Sequence, residues 1–234
     1  MQPEPRRAAA SADERGASLA LLPIAATLYY YALPSSLQDR TLMQFTPQII
    51  AYLACLLWAT QNRDLITRFG LERRLWPRGL RLGALVGFGL GCLNSIVILY
   101  LVPFLGLDIG FLRDTPHASL PVLLMVPWFI TVIAIFVEFN FRGFLLGRLL
   151  TLGACWLGTR RPLLVSGLAT AITALIFTFD PFMTNTFRHL HWIAVWDGAI
   201  WAACWIATRN LYVPITAHAV EVIVMYSAVR TALM

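Results

Sequence analysis

Apolar residues along this chain are gathered into long blocks that are separated by short polar stretches. Seven such blocks lie near residues 17–34, 45–60, 82–106, 119–138, 162–180, 190–208 and 212–231. Most approach the roughly 20 residues that an α-helix needs to cross about 30 Å of hydrocarbon. In lipid the backbone polar groups must be satisfied within a helix or a closed barrel, and long unbroken apolar runs lack the alternation of barrel strands. The pattern therefore predicts an all-α, polytopic transmembrane bundle of about seven helices.

The fourth block does not stop at its first charged residue. Apolar character continues past Glu138 and Arg142 as far as Leu150. We expect this helix to run for about 30 residues, well beyond one membrane thickness. Its charged pair would then lie inside the membrane.

Polarity also divides the chain into three regions. Residues 1–16 carry charged side chains among alanines and have too little apolar surface to fold alone, so they are predicted to be a disordered cytoplasmic tail. Residues 17–118 are predicted to be N-terminal transmembrane helices. Residues 119–234 are predicted to be a helical core that carries the site.

Composition supports a lipid environment. The chain is 59% apolar and 13% charged, against about 45–50% and 25% in soluble domains. Its net charge of +6 comes from arginine alone, and these arginines divide fourteen to four between alternate connections. This bias predicts an integral membrane protein of the bacterial cytoplasmic membrane with its N-terminus in the cytoplasm and its C-terminus outside, and no nucleic-acid partner. The four cysteines lack the spacing of a disulfide framework or a zinc knuckle.

Ionisable residues within membrane helices are functional candidates, because each costs several kcal/mol unless it is paired or solvated. All of the candidates follow residue 137; they are Glu138, Arg142, Asp180, His189, His191, Asp197, His218 and Glu221. The first half of the chain offers only Asn94 as a notable polar residue in the middle of a span. We therefore expect a scaffold followed by a bundle that bears the site.

Two pairs among these candidates have helical spacing. Glu138 and Arg142 are four residues apart, so they share a helical face and can form an ion pair that is either structural or functional. His218 and Glu221 are three apart and lie near the same face. A carboxylate beside an imidazole suits acid–base catalysis, metal ligation or a structural hydrogen bond, and spacing alone does not choose among these.

The remaining candidates have simpler interpretations. Asp180 precedes Pro181 at the end of the fifth span and is expected to mark the end of that helix. His191 lies beside Trp192 at a predicted membrane boundary, where such residues are ordinary anchors. Asp197 lies near the middle of a span among aromatic and small residues, so it is predicted to be a site residue or the partner of an arginine.

Three segments carry a family resemblance. Residues 137–149 have the sequence VEFNFRGFLLGRL, which resembles the signature helix of the CPBP family of CAAX prenyl endopeptidases and bacteriocin-processing intramembrane proteases. The later segments WDG at 196–198 and TRNLYVPITAHA at 208–219 are similar to the stretch that leads to the last motif histidine of that family. The resemblance covers about residues 119–231.

The resemblance implies a site in which two glutamates and an arginine, a histidine four residues after a phenylalanine, and a second histidine followed by Asn or Asp surround a water molecule. This water attacks the scissile peptide bond. Glu138 and Arg142 match the second glutamate and the arginine, and His218 matches the last histidine.

Other motif positions depart from the family. Val137 occupies the place of the first glutamate, Pro181 falls where the first histidine is expected after Phe177, and Val222 replaces the Asn or Asp. Glu138, Asp180 and Glu221 could compensate for these changes. Alternatively, Phe187 and His191 could supply the second motif in a shifted register.

Two hypotheses follow from this partial match. In the first, the chain is an intramembrane endopeptidase that acts on a membrane-associated or lipidated substrate. Glu138 activates water, His218 stabilises the oxyanion or assists proton transfer, and Arg142 positions Glu138. No cofactor is required, although zinc could bind through His218 and carboxylates. In the second, the chain is a catalytically inactive protein of the same fold that acts as a binding or assembly partner.

Overall fold

Long helices make up most of the chain in this computed structural model, which describes residues 14–115, 118, 120–158 and 160–233. Short loops and turns join these helices. They are α1 (Ala17–Ala32), α2 (Thr41–Gln61), α3 (Leu65–Phe104), α4 (Val122–Leu157), α5 (Pro162–Thr178), α6 (Pro181–Thr208) and α7 (Tyr212–Leu233). No strand occurs among the described residues. The predicted all-α bundle is confirmed.

Five of these helices, α2, α3, α4, α6 and α7, are long and apolar enough to cross a membrane, whereas α1 and α5 are shorter. The outer surface of the bundle carries large apolar side chains such as Leu85 and Phe104 on α3 and Leu163 on α5, whose exposed fractions are 73%, 86% and 86%. An outer surface of this kind suits contact with lipid. The chain is an integral membrane protein.

Helix α4 has the length that its apolar pattern predicted. It runs for 36 residues, and its hydrogen bonding widens to the π pattern over Met125–Ile130 and again over Phe139–Leu146. Glu138 is the last residue before the second π segment, and Arg142 lies inside that segment. Widened turns of this kind occur often at functional sites, because they redirect side chains from the regular helical face.

Helix α3 packs closely against α7 through a row of glycines. Gly79, Gly83, Gly87 and Gly91 are buried and spaced four residues apart along α3. A Cβ atom at Gly87 would lie 2.3 Å from the carbonyl oxygen of Ala217 on α7. Because glycine has no side chain, the backbones of α3 and α7 can come into contact. Small residues allow the same close approach between other membrane helices. This contact brings Asn94, one turn beyond the last glycine, up to α7.

Helix α6 consists of two parts with a change of direction between them. Its first part, Pro181–Phe187, begins at Asp180, whose carboxylate accepts a hydrogen bond from the backbone N–H of Phe182. Arg188 has a positive φ of 47° and starts a 3₁₀ segment, and the regular helix resumes over Ala194–Thr208. Asp180 thus follows the end of α5 at Thr178, as its place before proline predicted, and it also caps the start of α6, which was not predicted.

The segment before α1 is tied to the bundle through Glu14. Its carboxylate is buried, forms ion pairs with Arg148 and Arg68, and accepts hydrogen bonds from the side chains of Trp58 and Thr151. These partners belong to α2, α3 and α4. The predicted disordered tail falls largely on residues 1–13, which lie outside the described residues, and Glu14 itself is packed against three helices.

Candidate active site

Glu138, Arg142 and His218 meet inside the bundle. The Nη1 atom of Arg142 donates to Oε1 of Glu138 at 3.1 Å, one turn away on α4. From α7, the Nδ1 atom of His218 lies 2.9 Å from the same carboxylate oxygen. Glu138 and Arg142 are completely buried, and His218 is nearly so. The two helices therefore bring together the three residues that the sequence predicted as the catalytic group.

Aromatic rings and a backbone carbonyl hold this group in place. Arg142 also donates from Nη2 to the carbonyl oxygen of Gly198 at 3.1 Å, and its guanidinium lies 4.9 Å from the ring centre of Phe177. The imidazole of His218 stacks on Trp201, with ring centres 4.4 Å apart and an angle of 17° between the planes. A guanidinium enclosed in this way has little freedom to move.

A second buried polar cluster lies next to the first. The side-chain amide of Asn94 donates to Oδ2 of Asp197 at 3.0 Å and to Oε1 of Glu221 at 2.8 Å. The indole N–H of Trp196 donates to the amide oxygen of Asn94 at 2.9 Å. The other carboxylate oxygen of Asp197 is buried without a hydrogen-bond partner in the protein. One amide from α3 thus joins carboxyl groups from α6 and α7.

Both clusters border a large cavity between α2, α4, α6 and α7. Its volume is about 630 Å³, and its wall is mostly aromatic and aliphatic. His218, Asp197 and Glu221 contribute polar groups to this wall, and so does Asp180. Glu138 does not line the cavity, although its neighbours Val137 and Phe141 do. The carboxylate of Glu138 is therefore connected to the cavity only indirectly, by its contact with His218, which lines the cavity wall.

Asp180 and His191, two of the accessory candidates, are placed apart from these clusters. The carboxylate of Asp180 accepts from Nε2 of Gln48 at 2.8 Å and from the backbone N–H of Phe182 at 3.0 Å, so its hydrogen bonds join helices. The Nδ1 atom of His191 contacts the carbonyl oxygen of Arg188, and its ring packs on Phe179. His191 is not among the cavity residues, and the structure does not place it where the shifted motif would require.

Within residues 14–115, 118, 120–158 and 160–233, no group of three or more His, Cys, Asp or Glu side chains is arranged to hold a metal ion. The polar side chains near His218 instead form hydrogen bonds with one another.

Asn94 is the residue whose role sequence reasoning missed. It was singled out only as a polar residue in a span, and nothing linked it to Asp197 or Glu221. The glycine row that precedes it on α3 carries a signal, because four-residue spacing of small residues marks a close helix contact. A polar residue one turn beyond such a row is placed to bond to the partner helix.

Comparison with known proteins gives one match. The family model described as "Type II CAAX prenyl endopeptidase Rce1-like" matches residues 119–224. Neither the curated proteins nor the solved structures include a match to the chain. The matched segment contains Glu138 and Arg142 on α4, Asp197 on α6, and His218 and Glu221 on α7. Over this segment, which is somewhat less than half of the chain, the protein is similar to the Rce1-like family of CAAX prenyl endopeptidases, in agreement with the CPBP motifs that it resembles.

Proposed function

We propose that this protein is an intramembrane endopeptidase that hydrolyses a peptide bond of a membrane-associated or lipidated substrate. The observation that carries the proposal is the contact of His218 with Glu138 at the wall of a large apolar cavity. The family match supports it, since that family consists of CAAX-type proteases. A lipid chain or an extended apolar peptide suits the lining of the cavity, and His218, Asp197 and Glu221 are among the polar residues beside it.

Catalysis in this proposal passes through the imidazole. Glu138 accepts the hydrogen on Nδ1 of His218 and fixes the ring orientation, which leaves the other ring nitrogen free to accept a proton. Water at the cavity wall gives its proton to that nitrogen while its oxygen attacks the scissile carbonyl carbon. Arg142 positions Glu138 through the hydrogen bond from its Nη1 atom. The sequence predicted that Glu138 itself activates the water. In this proposal, His218 accepts the water proton and Glu138 orients His218.

The test uses the purified protein in lipid vesicles with two probe substrates, a farnesylated peptide that ends in a CAAX sequence and a membrane-anchored leader peptide. We expect the parent protein to cleave one of them. His218→Gln should lower the rate by at least about 100-fold, because a positioned general base contributes about that much. Glu138→Asp should also lower it, since the shorter side chain draws the carboxylate away from His218.

A surface variant and a stability measurement provide the control. Glu72→Gln changes a partly exposed carboxylate that pairs with Arg74 near the start of α3, and it should leave the rate unchanged. Thermal unfolding of each variant in the same lipid should stay close to that of the parent. If neither probe is cleaved by the parent, the proposed activity is refuted.

That negative outcome would support the other candidate function, a catalytically inactive binding or assembly partner. One observation favours it. Val137, which occupies the place of the first family glutamate, lies on the cavity wall as an apolar side chain. In this alternative, the cluster around Glu138 serves to hold the helices together.

A further inference from the structure

Two neighbouring carboxyl groups on the cavity wall, those of Asp197 and Glu221, are not used by the mechanism above. Asp197 and Glu221 come from different helices and share one donor, the amide nitrogen of Asn94. Both carboxyl groups are buried, with exposed fractions of 5% and 2%. Both line the same cavity as His218, which lies one helical turn from Glu221 on α7. The pair therefore lies close to the group that would activate water.

Charge balance indicates that this pair holds a proton. The two clusters contain three carboxyl groups, Glu138 among them, and one permanent cation, Arg142, which is already bound to Glu138. His218 can add at most one more positive charge. Two close carboxylates in apolar surroundings repel each other and cannot both stay ionised at low cost. At least one carboxyl group of the pair is then a neutral acid that can donate.

We propose that Asp197 and Glu221 together form the general acid that protonates the leaving amine during peptide hydrolysis. This inference rests on the proposed endopeptidase function and assigns a role that the Glu138–His218 pair does not fill. A peptide nitrogen leaves poorly as an anion, so cleavage needs a proton donor as well as a base.

The water oxygen forms a bond to the scissile carbonyl carbon, and one water proton passes to His218. As the carbon–nitrogen bond breaks, the acidic proton of the pair passes to the departing nitrogen, which leaves as a neutral amine. The proton on His218 then returns to the pair, which restores the enzyme. The hydroxyl group of the water is now in the new carboxylic acid, and the amine has gained one proton in place of the one that the water gave up.

Asn94 fits this role as a positioning residue. Its amide bonds to both carboxylates, so the negative charge that remains after proton donation is stabilised. Trp196 fixes the amide by donating to its oxygen. Asp180, the other carboxyl group on the wall, is less suitable because its bonds to Gln48 and Phe182 place it at a helix start.

The experiment compares two substrates that differ only at the scissile bond. One is the cleaved peptide from the test above, and the other replaces its scissile amide with an ester whose phenol-type leaving group needs no proton. Glu221→Gln and Asp197→Asn keep shape and lose acidity. Both are compared with the parent and with Glu72→Gln.

We expect each acid variant to lower amide hydrolysis by about 100-fold while ester hydrolysis falls by less than about 10-fold. His218→Gln should impair both substrates equally, since attack by water needs the base in either case. Equal loss on amide and ester, or no loss on the amide, overturns the acid role while the proposed function stands. Failure of the parent protein on every probe overturns the proposed function itself. If one acid variant unfolds, the other provides the comparison.

Discussion

Arg142 illustrates how a charged residue is tolerated at the centre of a membrane protein. It has no exposed surface, and it is matched by the carboxylate of Glu138, the carbonyl of Gly198 and an aromatic ring. Each of these hydrogen bonds replaces one that the guanidinium would have made to water. The cost of burying the cation is offset only while the carboxylate remains in place.

Removal of this cation should therefore destabilise the protein through the charge left behind. Arg142→Met leaves Glu138 as an uncompensated buried carboxylate, and we expect the free energy of unfolding to fall by about 3–5 kcal/mol. The double variant Arg142→Met with Glu138→Gln removes both charges and should recover a large part of that loss. Chemical denaturation in detergent micelles measures both effects. No recovery in the double variant would contradict the charge-based explanation.

At the scale of single residues, the sequence predicts what local spacing and motif matches encode. The four-residue separation of Glu138 and Arg142 predicted their bond, and the motif around His218 predicted its place beside them. The bridge from Asn94 to Asp197 and Glu221 joins three helices, and no local pattern encodes such a contact. The role of Asn94 depends on how closely α3 approaches α7.

At the scale of the helices, the second polar cluster, formed by Asn94, Asp197 and Glu221, depends on how closely α3 approaches α7. The glycines on the contact face leave no room for a methyl group, whereas Gly89 on the same helix has no neighbour within 4 Å of the Cβ position. This pair of positions offers a matched comparison. One glycine is required by packing and the other is not.

Gly87→Ala should separate the two helices, because its methyl group would meet the backbone of Ala217. We expect a loss of about 1–3 kcal/mol, as for other overpacked positions, together with weaker amide hydrolysis because Asn94 moves away from Glu221. Gly89→Ala should leave stability unchanged or raise it by up to about 1 kcal/mol. Thermal unfolding and the peptide assay measure the two consequences. An equal effect of both substitutions would count against the packing argument.

Hydrophobic length predicted the helices better than it predicted their internal geometry. The long fourth helix was expected from the leucines beyond Arg142, although it continues past Leu150 and ends at Leu157. The π segments of α4 and the bend of α6 at Arg188 were not expected, because they arise where a helix adjusts to its neighbours. These adjustments direct Glu138 and Arg142 towards α6 and α7.

At the scale of the whole molecule, the buried contacts indicate which connections share one side of the membrane. Glu14 before α1 is bonded to Trp58 near the end of α2, to Arg68 near the start of α3 and to Arg148 near the end of α4. The excess of arginine lies in these same regions. The sidedness of the arginines and the contacts of Glu14 therefore agree.

The orientation of that side is a testable prediction of the arginine bias. We expect the N-terminus and the connection between α2 and α3 to lie in the cytoplasm and the C-terminus to lie outside. Reporter domains that are active on only one side of a bacterial membrane, fused after Arg63 or after the last residue, should give opposite signals. If both fusions gave the same signal, the two fusion points would lie on the same side of the membrane, and the predicted orientation would be wrong.

The bonds of Glu14 also bear on the order in which the molecule can be assembled during synthesis. Glu14 is made before all four of its partners, and the last of them, Thr151, emerges from the ribosome more than a hundred residues later. The segment before α1 therefore cannot find its final place until the fourth helix has entered the bilayer. Until then, Arg148 has no matching carboxylate. Docking of this early segment is thus a late event, and it closes the N-terminal half of the bundle only when α4 is in position.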